Sequence, residues 1–274
     1  MSAGAASAVV VAINPALREM EPRLEDAYVN LLLFLADSEL VIGHRHSEWT
    51  GFAPSAETDV AFSSIAQDEM GHAHLYYSLV AGAESEDAVD ALALDRGPRQ
   101  LRHLPLLHAA NGDWFFTIAR HLYWDVFEEV FLAAAVKSSL PLLAGAADRV
   151  GNEEIYHEEH AVQWLALLSS RPPQRRRMVA QLGRVTVSAG NPALWVAGLN
   201  ALGTAGAMAG QDELARAYSA ALNERLLAAG WTATEAASAL EPLAGRGDGV
   251  APPGLYRLHR DLTGLRRAHA GASW

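Results

Sequence analysis

Cysteine is absent from the 274 residues of this chain, and lysine occurs once, as Lys137. Without cysteine there is no disulfide, no thiolate nucleophile and no ligand for an iron–sulfur cluster. We expect no flavin or haem in the chain either. Any redox chemistry would therefore use electrons delivered by a separate protein.

Positive charge is scarce as well. The chain carries 21 Lys and Arg against 32 Asp and Glu, so its net charge is −11 and its pI is near 5.4. Nucleic-acid-binding proteins usually present a basic patch, so we expect no nucleic-acid partner. The densest basic cluster, at 171–177, is interpreted as a solvated loop after a helix, with a coenzyme A diphosphate as the alternative ligand.

Long hydrophobic runs are also missing from the sequence. No basic residue precedes Arg18, and the apolar run near the N-terminus is short. This start does not resemble a secretory signal, and we find no continuous apolar span of 18 residues. The sequence therefore predicts a cytoplasmic protein without a membrane segment.

What the chain does contain is apolar residues at helical spacing. Half of the residues are hydrophobic, and the apolar positions recur with the period of a helix and not of a strand. We predict an all-α fold, a ferritin-like four-helix bundle with additional C-terminal helices, forming one domain over 1–274. The bundle covers about 15–170 and the accessory helices about 171–274. The expected helices are 15–46, 55–81, 113–139, 143–169, 174–205, 210–229 and 254–269.

Two Glu-x-x-His tetrads stand out on these helices. The first is Glu69 with His72, and the second is Glu154 with His157. Residues three apart share one face of a helix, so each pair can bind one metal ion. About one such pair is expected by chance, so the tetrad alone proves little.

A lone acidic residue about 30 positions before each tetrad gives the pattern its weight. Glu39 lies in line with an apolar stripe formed by Tyr28, Leu31, Leu32 and Leu35, which predicts that it is buried. The segment before the second tetrad offers three carboxylates over one turn. They are Asp125, Glu128 and Glu129.

Four buried carboxylates that point at one another would oppose folding unless cations neutralised them. Two divalent ions would balance the four charges, with both histidines as neutral ligands. A carboxylate from each of two helices and Glu-x-x-His from each of two others is the ligand set of ferritin-like di-iron proteins. The sequence therefore predicts a di-iron centre.

An acidic residue also precedes each tetrad glutamate. Asp68 lies four residues before His72, and Glu153 lies four before His157. Each could accept the second N–H of its histidine and so fix the imidazole tautomer. Their alternative role is that of a solvated helix surface.

Other conspicuous side chains are assigned plainer roles. His46 lies two turns after Glu39 and is expected at the surface, with a pocket rim as the alternative. Four aromatic residues are expected to fill the core or an interface, with a substrate pocket possible near Asp125. They are Trp114, Trp124, Phe127 and Trp164.

These segments resemble a known family. The motif SEW-x-G-x-AP, the run DVAFSSIAQD and the segments NGDWFFTIARHLYWDVFEEVF and EEIYHEEHAVQWL are similar to the ferritin-like subunits of the bacterial phenylacetyl-CoA ring epoxidase, most closely to the PaaC-type subunits. The resemblance covers most of 25–170 and returns near the C-terminus.

The resemblance implies a subunit of a multicomponent monooxygenase of phenylacetate catabolism. Such an enzyme uses O2 and reductant to epoxidise the ring of an aromatic acyl-CoA. It also implies two iron ions, a homologous ferritin-like subunit, a reductase component, a CoA-thioester substrate and a homo- or hetero-oligomer. Carried over position by position, the iron ligands of the catalytic PaaA-type subunits fall on Glu39, Glu69, His72, Asp125, Glu154 and His157.

Two alternatives stay open at this point. PaaC-type subunits commonly lack part of the ligand set and act as scaffolds for a catalytic PaaA-type subunit, whereas this chain keeps every ligand-type residue. A stand-alone di-iron oxygenase or oxidase with another substrate is the second alternative. On the third helix, Glu128 and Glu129 remain alternatives to Asp125.

Overall fold

The computed structural model describes residues 14–17, 20–82, 86–248 and 250–269, and it contains helices but no strand within these ranges. This confirms the predicted all-α, ferritin-like fold. In chain order the helices are α1 (Pro22–Ser47), α2 (Ala56–Ala81), α3 (Glu86–Asp90), α4 (Trp114–Ala135), α5 (Pro141–Ser169), α6 (Pro172–Ala189), α7 (Leu199–Thr204), α8 (Gln211–Ala228), α9 (Ala233–Leu240) and α10 (Leu255–Ala268).

The four long helices α1, α2, α4 and α5 form the bundle. Helix α1 packs mainly on α2, α4 packs mainly on α5, and α2 also contacts α5. Gly43 permits a close approach between α1 and α2, because a Cβ added there would lie 2.8 Å from Cβ of Glu69. A small residue is thus required one turn after Glu39.

Local signals set the starts of these helices. The side chains of Ser55 and Asp113 cap α2 and α4 by accepting hydrogen bonds from the backbone N–H groups of Thr58 and Phe116. A proline occupies the first turn of α1 and of α5, where its missing N–H costs nothing. These caps and prolines fix where the site-bearing helices begin.

The accessory helices cover the outer side of α4. Both α6 and α8 pack against it, and Tyr123 on α4 donates a hydrogen bond to the carbonyl of Gly190 at 2.7 Å. Tyr218 on α8 in turn donates to the carbonyl of Tyr123 at 3.1 Å. Helix α4 is therefore buried on nearly every side, which explains its high content of apolar and aromatic residues.

The prediction of one helix over 174–205 is wrong. Helix α6 ends at Ala189, a 3-10 turn follows at Pro192–Trp195, and α7 is a separate short helix. Gly190 has φ +65°, and a Cβ there would lie 2.1 Å from the carbonyl oxygen of Gly245. The chain turns at a glycine that the packed 245–247 loop requires, and Pro192 cannot donate a helical hydrogen bond.

Two further boundaries differ from expectation. The predicted first helix, 15–46, is interrupted: a 3-10 turn at Pro15–Leu17 precedes α1, which begins at Pro22. Helix α9 was not predicted, although Thr232 and Glu235 form a capping box at its start. The capping-box signal was thus present in the sequence but went unused.

Helix α1 is apolar enough over 18 residues to span a membrane by length and composition, contrary to the expectation that no such stretch exists. Within the fold, 83% of that window is buried. A helix surrounded by other helices needs apolar residues on every face, so the composition reflects a core helix.

Candidate metal centre

The four bundle helices bring their acidic and histidine side chains together in the interior. Each of these side chains is at most 3% exposed. They are Glu39 from α1, Glu69 and His72 from α2, Asp125 and Glu128 from α4, and Glu154 and His157 from α5. We refer to these seven residues as the carboxylate–histidine cluster.

Glu154 and Glu69 lie between the two imidazoles. Oε1 of Glu154 is 3.1 Å from Nδ1 of His72 and 3.1 Å from Nδ1 of His157. The two oxygens of Glu69 lie 3.9 Å from Nδ1 of His72 and 3.8 Å from Nδ1 of His157. Both tetrad glutamates thus occupy positions from which a carboxylate can bridge two ions.

The remaining carboxylates lie on either side of this pair. Glu39 approaches only one imidazole, with Oε2 3.9 Å from Nδ1 of His72. Ligand atoms of Glu39, Glu69, His72 and Glu154 all lie within 4.8 Å of one another, and so do ligand atoms of Glu69, Asp125 and Glu128. The cluster therefore offers two adjacent groups of donors that share Glu69.

On α4 the three candidates separate into two buried residues and one outward-facing residue. Asp125 and Glu128 both join the cluster. The side chain of Glu129 is 43% exposed and accepts a hydrogen bond at 2.7 Å from Arg225 of α8. Glu129 thus lies outside the cluster.

The cluster lacks the hydrogen bonds that buried polar groups normally have. Both carboxylate oxygens of Glu39, Glu69, Asp125 and Glu154 have no hydrogen-bond partner, and neither has Nδ1 of His72 or of His157. Each such group costs about 1–3 kcal/mol, and more when it is charged. Oxygen and nitrogen donors turned inward without partners are the arrangement that cations complete, so the residues present fit a pair of metal ions.

Without a metal, burial and mutual repulsion shift the pKa values of this cluster. Burial, followed by repulsion from Glu128, raises the pKa of Glu39 well above its ordinary value. Burial also raises the pKa of Asp125 and of Glu128, with repulsion from Glu154 as the next cause. Protons must replace the missing cations if these carboxyl groups are to stay buried together.

The carboxylate between the imidazoles behaves in the opposite way. Burial alone would raise the pKa of Glu154, but His157 and His72 lower it to about 2. Burial would lower the pKa of His72, yet its contacts with Glu154 and Glu69 raise it to about 12. The same balance raises the pKa of His157 to about 10.

The outer nitrogens of the two histidines contact the predicted acidic residues, but with the partners exchanged. Nε2 of His72 donates to Glu153 at 2.7 Å, and Nε2 of His157 lies 3.3 Å from Asp68. The prediction paired each histidine with an acid on its own helix, and that pairing is wrong. Each imidazole reaches inward with Nδ1, so its Nε2 faces the neighbouring Glu-x-x-His helix.

Three further histidines lie beside the cluster and were not expected there. The surface position predicted for His46 is wrong: it is fully buried, with Nδ1 3.7 Å from Oε1 of Glu69 and no hydrogen-bond partner at either nitrogen. Nδ1 of His121 lies 2.8 Å from Oδ2 of Asp125, and Nε2 of His121 lies 3.3 Å from Nδ1 of His160. The helical spacing of His121 and Asp125, four residues apart, could have indicated this contact.

Aromatic rings separate this end of the cluster from solvent. Phe62 packs against His46, with ring centroids 4.5 Å apart, and Trp114 packs against Phe62 and Trp164. Trp124 and Phe127 are fully buried, as their core role predicted. This apolar layer lowers the local dielectric and strengthens every electrostatic interaction inside it.

A four-helix bundle with two Glu-x-x-His helices, and with carboxylates contributed by the other two, defines a ferritin-like protein of the carboxylate–histidine type. More particularly, residues 11–274 match the PaaA/PaaC family of phenylacetic acid catabolic proteins, and the chain belongs to this family. Over 138 residues it is 33% identical to the PaaC-type subunit of the 1,2-phenylacetyl-CoA epoxidase of Escherichia coli (strain K12). That alignment covers 50% of this chain and 56% of the relative, so the match spans a little over half of the E. coli protein.

Proposed function

We propose that this protein is a subunit of a multicomponent di-iron monooxygenase in phenylacetate catabolism, and that its own cluster binds two iron ions. The reaction would be the O2- and reductant-dependent epoxidation of the ring of an aromatic acyl-CoA. The ligands would be Glu39, Glu69, His72, Asp125, Glu154 and His157, with Glu128 as a neighbour able to replace Asp125.

One observation carries this proposal: seven metal-ligating side chains are buried together without hydrogen-bond partners for their inner atoms. A scaffold that had lost its metal would gain stability by replacing such groups with apolar residues. Retention of all of them favours a site that binds metal.

Bound iron would supply two electrons for the reductive activation of O2 at one place. The residues of the chain hold this site and shield it. Glu69 and Glu154 lie where they can bridge, and the acids next to them, Asp68 and Glu153, orient the imidazoles. The aromatic layer around Phe62 excludes water from one side.

Metal analysis of the iron-loaded chain tests this proposal. We expect about two irons per chain in the wild type and a loss of at least one in His72→Ala. The matched control is His74→Ala, two residues along the same helix, where the side chain is 53% exposed and contacts Glu86. Iron content well under one per wild-type chain would contradict the proposal.

A scaffold role is the second candidate, and the identity to a PaaC-type relative favours it. In that case a PaaA-type partner would carry catalysis, and this chain would position it. Exposed apolar residues on α5, Ile155 at 61% and Tyr156 at 70%, offer a surface for such a partner. Turnover by this chain and a reductase, without the partner, would contradict the scaffold role.

The external components are also part of the proposal. A chain without cysteine needs a reductase as its electron source. The CoA thioester, the homologous subunit and the oligomeric state follow from the family alone. A stand-alone di-iron enzyme and a cytoplasmic location stay predictions.

A further inference from the structure

A cavity of about 300 Å³ lies between α4 and α5 and extends from the surface to the cluster. Most of its lining residues are exposed or half-buried, but Leu132, Ala147 and Glu154 are buried. Glu154 also belongs to the carboxylate–histidine cluster, where its Oε1 lies between the two imidazoles. The cavity therefore connects the surface to a residue of the proposed metal centre.

The charges on the cavity wall all have one sign. Glu129, Asp148 and Glu158 line it together with Glu154, and no lysine, arginine or histidine is among its lining residues. Both oxygens of Glu154 are buried without a hydrogen-bond partner. Clefts that carry one sign of charge concentrate ions of the opposite sign, so this cavity attracts cations and repels the phosphates of a CoA thioester.

Arg225 closes one end of this cavity. It belongs to α8 and makes two hydrogen bonds, from Nε to Glu158 on α5 at 2.6 Å and from Nη2 to Glu129 on α4 at 2.7 Å. The arginine thus ties together the two helices that form the walls. It also neutralises part of the acidic charge at the mouth.

From this arrangement we infer that the cavity is the path by which divalent metal ions enter the carboxylate–histidine cluster, with Arg225 limiting entry. This inference rests on the proposed function, because it assumes that the cluster binds metal. The acidic wall collects hydrated cations, and Glu154 takes them over at the inner end. Helices α4 and α5 need to separate only slightly for an ion to pass, because the cavity already reaches Glu154.

A glycine in the cavity wall makes the path testable. Gly151 lines the cavity, and a Cβ added there meets no atom within 4 Å. A leucine at this position would fill the cavity without a clash at its Cβ. Gly145 lies on the same helix, also has open space around an added Cβ, and does not line the cavity. Gly145→Leu is therefore a matched control.

The experiment follows Co²⁺ uptake by the metal-free full-length protein in a stopped-flow spectrophotometer, together with the final Co²⁺ stoichiometry. We expect Gly151→Leu to slow uptake by roughly tenfold or more without lowering the final stoichiometry, and Gly145→Leu to match the wild type. Arg225→Met should accelerate uptake by roughly three- to tenfold, because it removes both the link and the positive charge. Glu159→Gln, at an exposed position on α5 outside the cavity, should have no effect.

The outcomes separate this inference from the proposed function. Uptake at the wild-type rate in both Gly151→Leu and Arg225→Met, with normal stoichiometry, would overturn the entry path and leave the metal centre in place. Failure of the wild type itself to bind Co²⁺ and iron would overturn the metal centre, and the entry path with it.

Discussion

Two acidic residues on α1, Asp37 and Glu39, are only two positions apart and are both fully buried. Asp37 has several donors around it. Arg96 forms an ion pair with it, Tyr77 donates a hydrogen bond at 2.5 Å, and the backbone N–H of Arg102 donates another at 2.5 Å. Neither oxygen of Glu39 accepts a hydrogen bond, and acidic side chains surround it.

The two sites show that burial alone does not identify a functional carboxylate. The Asp37 site is complete within the protein, because its cation and its hydrogen-bond donors are side chains and backbone of the same chain. The Glu39 site leaves its negative charges to be neutralised by something else. The difference lies in the partners, and it separates a structural ion pair from a candidate metal centre.

Removal of the cation at the complete site should give the largest effect. We expect Arg96→Met to lower the free energy of unfolding by about 3–5 kcal/mol, because Asp37 would stay buried without its ion pair. Chemical denaturation of the metal-free protein measures this. Arg99→Met is the control, since Arg99 contacts only the exposed Tyr256 hydroxyl in this structure. A loss below about 1 kcal/mol would mean that the ion pair is not structurally important.

Addition of metal should stabilise the protein through the incomplete site. With free Fe²⁺ or Co²⁺ at a hundred times Kd, we expect the free energy of unfolding to rise by about 2.7 kcal/mol. Glu69→Ala should abolish this gain, because Glu69 belongs to both donor groups. Thermal unfolding with and without metal measures the difference. Equal stabilisation of the variant and the wild type would place the bound metal elsewhere.

Metal binding should also depend on pH. In the metal-free state the pKa values of His72 and His157 are raised to about 12 and about 10, so both imidazoles are protonated at pH 7. As ligands they must lose these protons, so binding should release about two protons and tighten as the pH rises. Calorimetry in buffers with different ionisation enthalpies counts the protons released. No proton release would contradict this assignment of the ligands.

The same raised pKa values predict the pH dependence of the metal-free fold. The unfolded histidines titrate near pH 6.5, so the stability that these imidazolium groups contribute is fully present below that pH. It is lost as the pH rises through about 10 and about 12. Chemical denaturation across this range, with a His72→Ala variant for comparison, tests the sign.

The residues that orient the imidazoles should have a smaller effect. We expect Glu153→Gln to weaken metal affinity by roughly tenfold to a hundredfold, because it removes the charged acceptor 2.7 Å from Nε2 of His72. Asp68→Asn should have less effect, since Asp68 lies 3.3 Å from Nε2 of His157. Competition titrations with a chelator measure both. A larger loss in Asp68→Asn would contradict the crossed pairing.

The smallest effect should come from neutralising Glu39 itself. In the metal-free protein, Glu39→Gln should change the free energy of unfolding by no more than about 0.5 kcal/mol, because the carboxylate accepts no hydrogen bond. Asp37→Asn should cost about 2 kcal/mol, because it weakens satisfied charged hydrogen bonds. Similar losses in the two variants would remove the distinction between the sites.

The sequence by itself determined the fold class, the long bundle helices and the inward direction of Glu39, Glu69, His72, Glu154 and His157. Helical period and three-residue spacing are local properties, so a single chain shows them without knowledge of the packing. Its assignment of these residues as iron ligands stays a prediction, as does the single domain over 1–274.

Only the tertiary structure decided which side chains meet across helices. It turned Glu129 out to Arg225, kept Asp125 and Glu128 inside, exchanged the partners of Asp68 and Glu153, and buried His46. It also distinguished Asp37 from Glu39, since Arg96 reaches Asp37 from 59 positions away. Contacts between distant segments depend on how the helices pack and rotate against one another, and the spacing along one helix does not encode that.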